Sequence, residues 1–382
     1  MEARENPFAP GAGCLPPSLV GRDKILAEAD VLFSRVLAGK SAKSMLMHGL
    51  RGVGKTVLLL RMSAMAREMG YQVISYESME GIPMLPFIIQ SLKRILYDMK
   101  QVQKVKHALM VLCSFVKSVK IGGIELGVDV APGYADSGNL EQDLIDVFVA
   151  VGEAARERKT GIALVIDEIH VIEKKDFGML IMVMHKMQQL QLPVVMVAAG
   201  LPILMRLAGE AKTYAERLFS MPSIGHLTRE QSVSALADPV REKGIEIEEK
   251  ALDYIYIHTQ GYPYFLQEWG SNIWNIARGC PISFEDACEA AESVQECLDR
   301  TFYRVRYERL TPKERSFMLA MARIPGDLIP MTSLAKELRA KSSSLSTIRE
   351  RLITKGMIYS PERGCIAYSV PLFGMFLRRV KS

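Results

Sequence analysis

The sequence predicts an α/β protein with a parallel-sheet core, followed by a helical segment and a tail of three helices and a β-hairpin. Three observations carry that expectation. A glycine-rich loop, Gly49-Leu-Arg-Gly-Val-Gly-Lys-Thr56, sits between an apolar run and a helical run. A second apolar run, Ile162 to Ile166, ends in two carboxylates, Asp167 and Glu168. After Leu227 the strand signals stop, and helical patterns separated by glycines take over.

The run Ser44-Met-Leu-Met-His48 reads as a short buried strand, and Val57 to Met65 as a helix. Strand, glycine loop and helix, with the pattern G-x-x-x-x-G-K-[ST], make a phosphate loop. Gly52 and Gly54 let the backbone curl until its N–H groups point inward, and the helix N-terminus adds its positive end. Gly49, Leu50, Arg51, Gly52, Val53, Gly54, Lys55, Thr56 and Val57 are therefore the expected phosphate-binding stretch. Lys55 is expected to reach the β- and γ-phosphates, and Thr56 to ligate magnesium. The apolar Ile162 to Ile166 suits a central parallel strand buried on both faces. Two carboxylates at the end of such a strand are costly unless they are used, so the strand reads as a Walker B motif. Asp167 is expected to hold the magnesium shell and Glu168 to orient and polarise an attacking water. ATP and magnesium are the bound species these residues imply.

A chain of 382 residues is long enough for two or three domains. Its content, 49% hydrophobic and 24% charged, is ordinary for globular cores. The longest apolar run, Val194 to Met205, is interrupted by Gly200 and Pro202 and is too short to span a bilayer. No basic-then-apolar signal pattern opens the sequence. Six cysteines without a C-x-x-C pair read as reduced thiols of a cytoplasmic protein. Six histidines lack metal-ligand spacing, so zinc is not expected. Charge is uneven: residues 301–382 hold 16 Lys and Arg against 6 Asp and Glu, a net of +10. The whole-chain +5 leaves −5 for residues 1–300. A basic block on an acidic body suits nucleic acid.

Residues 1–20, rich in Pro, Gly and Ala, read as an extended arm. Residues 21–226 read as the ATPase core. There a helical pattern runs to about Leu37, Tyr71 to Tyr76 alternates as a strand, and Leu85 to Met99 has helical periodicity. A hairpin insertion is expected near 116–130, around Ile121-Gly-Gly-Ile124. Leu140 to Arg158 and Asp176 to Leu190 read as helices, the second with methionines as core filler. Pro193 to Ala199 reads as a further strand. Residues 227–304 read as a helical lid domain, with helices over Arg229–Lys243, Glu249–Thr259, Tyr264–Arg278 and Phe284–Arg304. Residues 305–382 read as a winged helix-turn-helix. Thr311 caps its first helix, with Pro312 at the first position. Thr332 to Arg339 and Ser343 to Lys355 follow, and Met357-Ile-Tyr359 with Ile366-Ala-Tyr368 forms the wing. Arg349 and Arg351 on the third helix, with Lys341 and Ser343 at its start, suit phosphates and base edges of double-stranded DNA. Winged helices also dock proteins, so both partners stay open at this point.

With these pieces together, the chain resembles the AAA+ and STAND ATPases among the P-loop proteins. Within them it is most similar to the bacterial and archaeal ATPases with an origin-recognition-like module. The resemblance runs from about Asn6 to the end. It rests on Val20-Gly-Arg22, Gly49 to Thr56, Leu164-Val-Ile-Asp-Glu168, Gly261-Tyr-Pro263 and the winged tail. It implies adenine contact at Gly21 and Arg22. It implies that Gly261-Tyr-Pro263 is a G-x-P motif, with Pro263 closing the lid over the nucleotide. It implies an arginine finger after the fourth core strand, where Tyr214-Ala-Glu-Arg-Leu-Phe219 offers Arg217.

The sequence departs from this pattern in two places. Val194 to Ala199 ends in Ala-Ala-Gly, without a polar sensor-1 residue, and no lid arginine stands beside Gly261. Both missing groups sense the γ-phosphate. The expectation is a slowly hydrolysing ATP switch that binds DNA through its winged helix, with ATP-dependent assembly of copies of the chain. The alternative is a signalling or defence switch whose winged helix docks a protein effector. A small-molecule kinase fits least, because the Asp-Glu pair favours water attack and no acceptor motif is present.

Overall fold

The computed structural model describes residues 1–11, 13–99, 102–119 and 134–380. They form two compact units, one of Arg22–Gly49 with Lys55–Ser223, the other of Met1–Gly21, Leu50–Gly54 and Ile224–Ser382.

The first unit is built on strands β1 (Ser44–Gly49), β2 (Tyr71–Glu77), β3 (Gly161–Asp167), β4 (Val194–Gly200) and β5 (Phe219–Ser220). They lie in the order β2-β3-β4-β1-β5, and each neighbouring pair is parallel. Every residue of β4 is buried, as is all of β3 except Asp167. Their unbroken apolar runs are what burial on both faces demands. β2, at one edge, alternates more and keeps its last residue, Glu77, exposed. Because the strands are parallel, the loop after β1 and the acidic end of β3 open at the same edge of the sheet. Ligands of open α/β sheets bind at that edge.

Helices cover the sheet, and their apolar faces supply its core. In Lys174–Gln189 the methionines at 179, 184 and 187 are buried, as expected of filler. Gln103–Val119 is a helix the sequence reading did not include. Val105, Ala108, Val111, Leu112, Phe115 and Val116 recur at helical spacing and are all buried. The hairpin expected near 116–130 is corrected at its start, because 116–119 close this helix; residues 120–130 lie outside the described residues.

In the second unit, four helices span Arg229–Arg241, Glu249–Thr259, Pro263–Ile276 and Phe284–Leu298. Capping boxes at Thr228 with Gln231 and at Ser283 with Asp286 open the first and last. A π-helical turn, Asp299–Tyr303, and a short helix, Arg304–Glu308, follow. The N-terminal arm is docked rather than extended into solvent. Phe8 is buried, and a Cβ on Gly270 would lie 2.6 Å from its ring. The Trp274 indole N–H donates to the Glu2 carbonyl at 3.0 Å, and the Asn6 amide donates to the Ser271 carbonyl at 3.0 Å.

The tail opens with Pro312–Arg323, capped by Thr311 and Glu314 in a capping box. Strand Ile329–Pro330, helix Met331–Glu337, a 3-10 turn Ser342–Leu345 and helix Ser346–Thr354 come next. Strands Ile358–Tyr359 and Cys365–Tyr368 pair antiparallel, and Ile329–Pro330 pairs with the other side of Cys365–Tyr368. A closing helix, Phe373–Val380, was not read in the sequence. It buries Phe373, Phe376 and Leu377. Phe376 stacks on Tyr303 with ring centroids 5.2 Å apart, which fixes the tail's end to the π-helical turn.

Candidate nucleotide-binding site

β1 ends at Gly49, and the chain turns through Leu50–Gly54 into the helix that begins at Lys55. Gly52 and Gly54 have φ of 76° and 94°, a region that side-chain-bearing residues rarely adopt. A Cβ on Gly54 would meet nothing within 4 Å, so backbone angle rather than crowding reserves that position for glycine. Val53 is buried, while Leu50, Arg51 and Val57 are half-buried. Lys55 is buried, and its Nζ donates to the Gly49 carbonyl at 3.1 Å. The ammonium therefore folds back over the residue that opens the loop.

Thr56 and Asp167 meet across 111 residues of sequence. The Thr56 Oγ1 donates to Asp167 Oδ2 at 2.6 Å. Asp167 Oδ1 accepts the Glu168 backbone N–H at 2.8 Å. Glu168 takes a left-handed backbone, φ 50° and ψ 32°, and turns its carboxylate to His170, with Oε2 at 3.4 Å from Nδ1. The Leu201 N–H approaches the same Nδ1 at 3.4 Å. One ring nitrogen either donates or accepts in the neutral imidazole, so these two groups compete for it. A Cβ on Gly200 would lie 3.3 Å from His170. His170 therefore stands at the end of β4, where the sequence itself places Ala-Ala-Gly. It is the site residue the sequence reading missed. Its signal was the spacing Asp-Glu-x-His, three residues beyond Asp167.

A buried ammonium, two left-handed glycines, and a hydroxyl joined to a carboxylate fit a phosphate chain with magnesium. The ammonium answers the phosphate charge, the curled backbone supplies N–H donors, and the oxygens suit a hard cation.

The tip of the loop, Leu50–Gly54, has further contacts within the second unit. A Cβ on Gly52 would lie 3.1 Å from a ring carbon of Tyr262 and 3.3 Å from its hydroxyl. Tyr262 is fully buried, and its hydroxyl has no hydrogen-bond partner among the described residues. Burial raises its ionisation far above the ordinary range. Gly261, at φ 69°, passes so close to the Leu227 carbonyl that a Cβ would lie 2.1 Å from it. Pro263 occupies the first turn of its helix, where a missing N–H costs nothing. Gly21 has φ 72°, and a Cβ there would lie 2.6 Å from Gln231. Arg22, in the first unit, is buried and stands at the N-cap position of the helix Asp23–Leu37, with burial lowering its pKa.

Other expected residues stand apart. Arg217 is exposed on the four-residue helix Ala215–Leu218, and its side chain makes no ion pair among the described residues. In the tail, Lys341, Ser343 and Arg351 are exposed. Arg349 is half-buried and donates to Ser360 Oγ at 3.1 Å, and Ser360 in turn donates to the Cys365 carbonyl at 2.7 Å. The structure thus separates two arginines that the sequence reading treated alike.

Residues 18–197 match a family model described as an AAA ATPase domain. Residues 300–377 match a second model, described as a domain of unknown function (DUF8462). No curated protein matches the chain. Among solved structures, the chain is similar to the Walker-type ATPase PABY2304 of Pyrococcus abyssi, with 14% identity and a TM-score of 0.56. That match covers 94% of this chain and 96% of the other. It is also similar to Cdc6p from Pyrobaculum aerophilum, with 15% identity and a TM-score of 0.46, covering 97% and 96%. A third similarity is to the Aeropyrum pernix Orc1 protein in complex with DNA, with 14% identity and a TM-score of 0.45, covering 95% and 94%. At these identities the first of the three speaks to the fold alone, and the other two carry no argument. No helix among the described residues is long and apolar enough to cross a membrane. The AAA ATPase match, the phosphate loop and the parallel sheet agree, and residues 18–197 form an AAA ATPase domain with a P-loop fold.

Proposed function

We propose that this AAA+ ATPase is a slow, ATP-dependent switch that binds duplex DNA through its basic tail. The observation that carries the nucleotide half is the 2.6 Å bond between Thr56 and Asp167, which joins the phosphate loop to the acidic strand end. In this reading Gly49 to Val57 cradle the phosphates, Lys55 neutralises their outer charge, and Thr56 and Asp167 hold magnesium. Magnesium, when bound, supplies charge neutralisation at the phosphate oxygens. Glu168 orients the attacking water. Gly21, Arg22 and Pro263 hold the adenine side. Residues 1–20 are the arm, 21–226 the ATPase core, 227–304 the lid and 305–382 a winged helix. Slow turnover is supported by the apolar end of β4 and by a Glu168 carboxylate engaged with His170. Arg217, exposed and without an ion pair, is the finger offered to a neighbouring copy. A rate per subunit that rises with protein concentration in the wild type and not in Arg217→Ala tests that role.

The DNA half is supported by the +10 charge of residues 301–382 and by the order helix, strand, helix, helix, hairpin. Exposed Lys341, Ser343 and Arg351 lie at or on the third helix of that order. Fluorescence anisotropy of labelled duplex, with the full chain and Glu168→Gln, across a salt series and with ATP or ADP, tests it. Log affinity should fall linearly with log salt, by about 0.9 for each phosphate neutralised. It should be higher with ATP. No binding at low salt in either nucleotide state would return the tail to the protein-effector reading.

A further inference from the structure

His170 meets Glu168 through a nitrogen that a second group also claims. It lies on the 3-10 turn Ile169–Val171, which the Val171 N–H closes by donating to the Glu168 carbonyl at 3.0 Å. The ring is buried, with 3% of the side chain exposed. It sits over the end of β4, where a Cβ on Gly200 would lie 3.3 Å from both Cβ and Nδ1 of His170. Nδ1 is 3.4 Å from Glu168 Oε2 and 3.4 Å from the Leu201 backbone nitrogen. All of these residues belong to the first unit.

The two contacts ask opposite things of one atom. A carboxylate only accepts, so Glu168 needs a proton on Nδ1. A backbone N–H only donates, so Leu201 needs the bare lone pair. Glu168 is therefore held with one tautomer of the neutral ring and released with the other. Both contacts are long for hydrogen bonds, so neither has taken the nitrogen outright. The end of β2 offers Glu168 no substitute hold. Ser78, just past that end, is buried and donates its N–H to the Asp167 carbonyl at 3.0 Å, and its hydroxyl has no partner among the described residues. Leu201, for its part, opens the turn that leads into the helix Leu204–Ala211. Seating its N–H on Nδ1 and freeing the Glu168 carboxylate are one event.

We propose that His170 is a positioning residue that holds Glu168 away from the attacking water and releases it when the Leu201 N–H takes Nδ1. This rests on the reading of Glu168 as the group that orients water. It makes the slow rate a property of one ring nitrogen and ties that nitrogen to the turn after β4. The spacing Asp-Glu-x-His puts His170 beside Glu168 in the sequence, but the competitor stands 31 residues further on. The exchange is therefore visible only in the fold.

Three measurements on the full chain test this: phosphate release at saturating ATP, equilibrium binding of ATP with magnesium, and nitrogen NMR of the histidine rings. His170→Phe fills the space without the nitrogen. It should raise kcat about 10-fold, the scale of a hydrogen bond to a charged group, and change ATP affinity by less than about 3-fold. His170→Gln carries a donor and an acceptor on one amide and should stay nearer the wild-type rate than His170→Phe. Loss of signal in His170→Gln identifies the His170 ring in the spectra. Its proton should sit on Nδ1 in the nucleotide-free wild type and on Nε2 in Glu168→Ala, where Leu201 is the remaining claimant. An unchanged or lower kcat in His170→Phe, or the same tautomer in wild type and Glu168→Ala, would overturn the proposal. If His170→Phe does not fold, the spectra decide. Glu168→Gln separates this failure from that of the underlying reading. If Glu168→Gln turns over like the wild type, Glu168 does not orient the water. If it is inactive while His170→Phe keeps the wild-type rate, only the role of His170 falls.

Discussion

The phosphate loop and the basic tail are both proposed here to bind polyanions, and they are built in opposite ways. In the loop each position is set by geometry. Gly52 and Gly54 hold backbone angles closed to other residues, Lys55 is buried over Gly49, and Thr56 meets Asp167. The tail relies on density, with 16 basic residues over 82 positions. Several of those are already engaged: Arg323 with Glu337, Lys355 with Glu314, Arg379 with Asp299, and Arg349 with Ser360. A pocket that closes on one small anion leaves little choice of residue. A surface for a long anion needs only enough charge, and the individual cations remain free to do structural work.

The comparison breaks most sharply under single substitutions. In the loop region they should act almost as on–off changes. Glu168→Gln should keep ATP affinity and lower turnover by about 10²- to 10⁴-fold, the range of a lost general base. Lys55→Ala should weaken ATP binding by about 10²-fold or more, because a buried charged partner of the phosphates is removed. Phosphate release and nucleotide binding measured on the same preparations check both. Equal turnover for the wild type and Glu168→Gln would remove Glu168 from its role.

The same contrast explains what could be read from the sequence. β1, β3 and β4 were legible because burial on both faces leaves only apolar residues, and the loop because its glycines sit at fixed spacing. Thr56 and Asp167 were each read as magnesium-side residues from their motifs, and the bond between them is the structure's addition. The helix Gln103–Val119 was missed, although its apolar residues recur at helical spacing, because the glycine pair beyond it gives a strong hairpin signal. His170 was missed for a different reason. It has no motif that the reading used, and it matters only through a neighbour distant in the chain, Leu201. The docked arm was also beyond reach, since Phe8 gains its meaning from the missing side chain at Gly270.

In the tail, graded effects are expected, and two arginines of one helix sharpen the point. Arg351→Ala should lower duplex affinity by about 1–3 kcal/mol on one preferred sequence if it reads a base. A phosphate contact would instead lower the salt slope by about one on all sequences. Arg349→Ala should act mainly through the tie to Ser360, loosening the hairpin with a smaller change in affinity. Anisotropy for both variants on two unrelated duplexes gives the order. A larger loss from Arg349 than from Arg351 would mean that the Ser360 bond opens when DNA binds.

The smallest effect belongs to a tail residue that carries negative charge. Glu314 is buried, closes the capping box with Thr311, and accepts from Lys355 Nζ at 2.7 Å. It joins the first helix of the tail to the end of the third. Burial alone would raise its carboxyl, but Lys355 and the Thr311 N–H and hydroxyl outweigh burial and hold it below its ordinary value of 4.5. A carboxyl whose pKa is lowered by folding stabilises the fold above its unfolded value. That contribution is present above about pH 4.5 and is lost as pH falls through the lower folded value. Glu314→Gln keeps an acceptor for the cap and removes the ion pair, so it should cost roughly 1–2 kcal/mol near neutral pH. Hydrogen exchange in Pro312–Arg323, compared between wild type and variant from pH 6 down to pH 3, measures it, with rates corrected for the intrinsic effect of pH. The gap in protection should narrow on the acid side. A gap of constant size would mean that the cap, rather than the charge on Glu314, joins these helices, and that the tail can spare Lys355 for a polyanion.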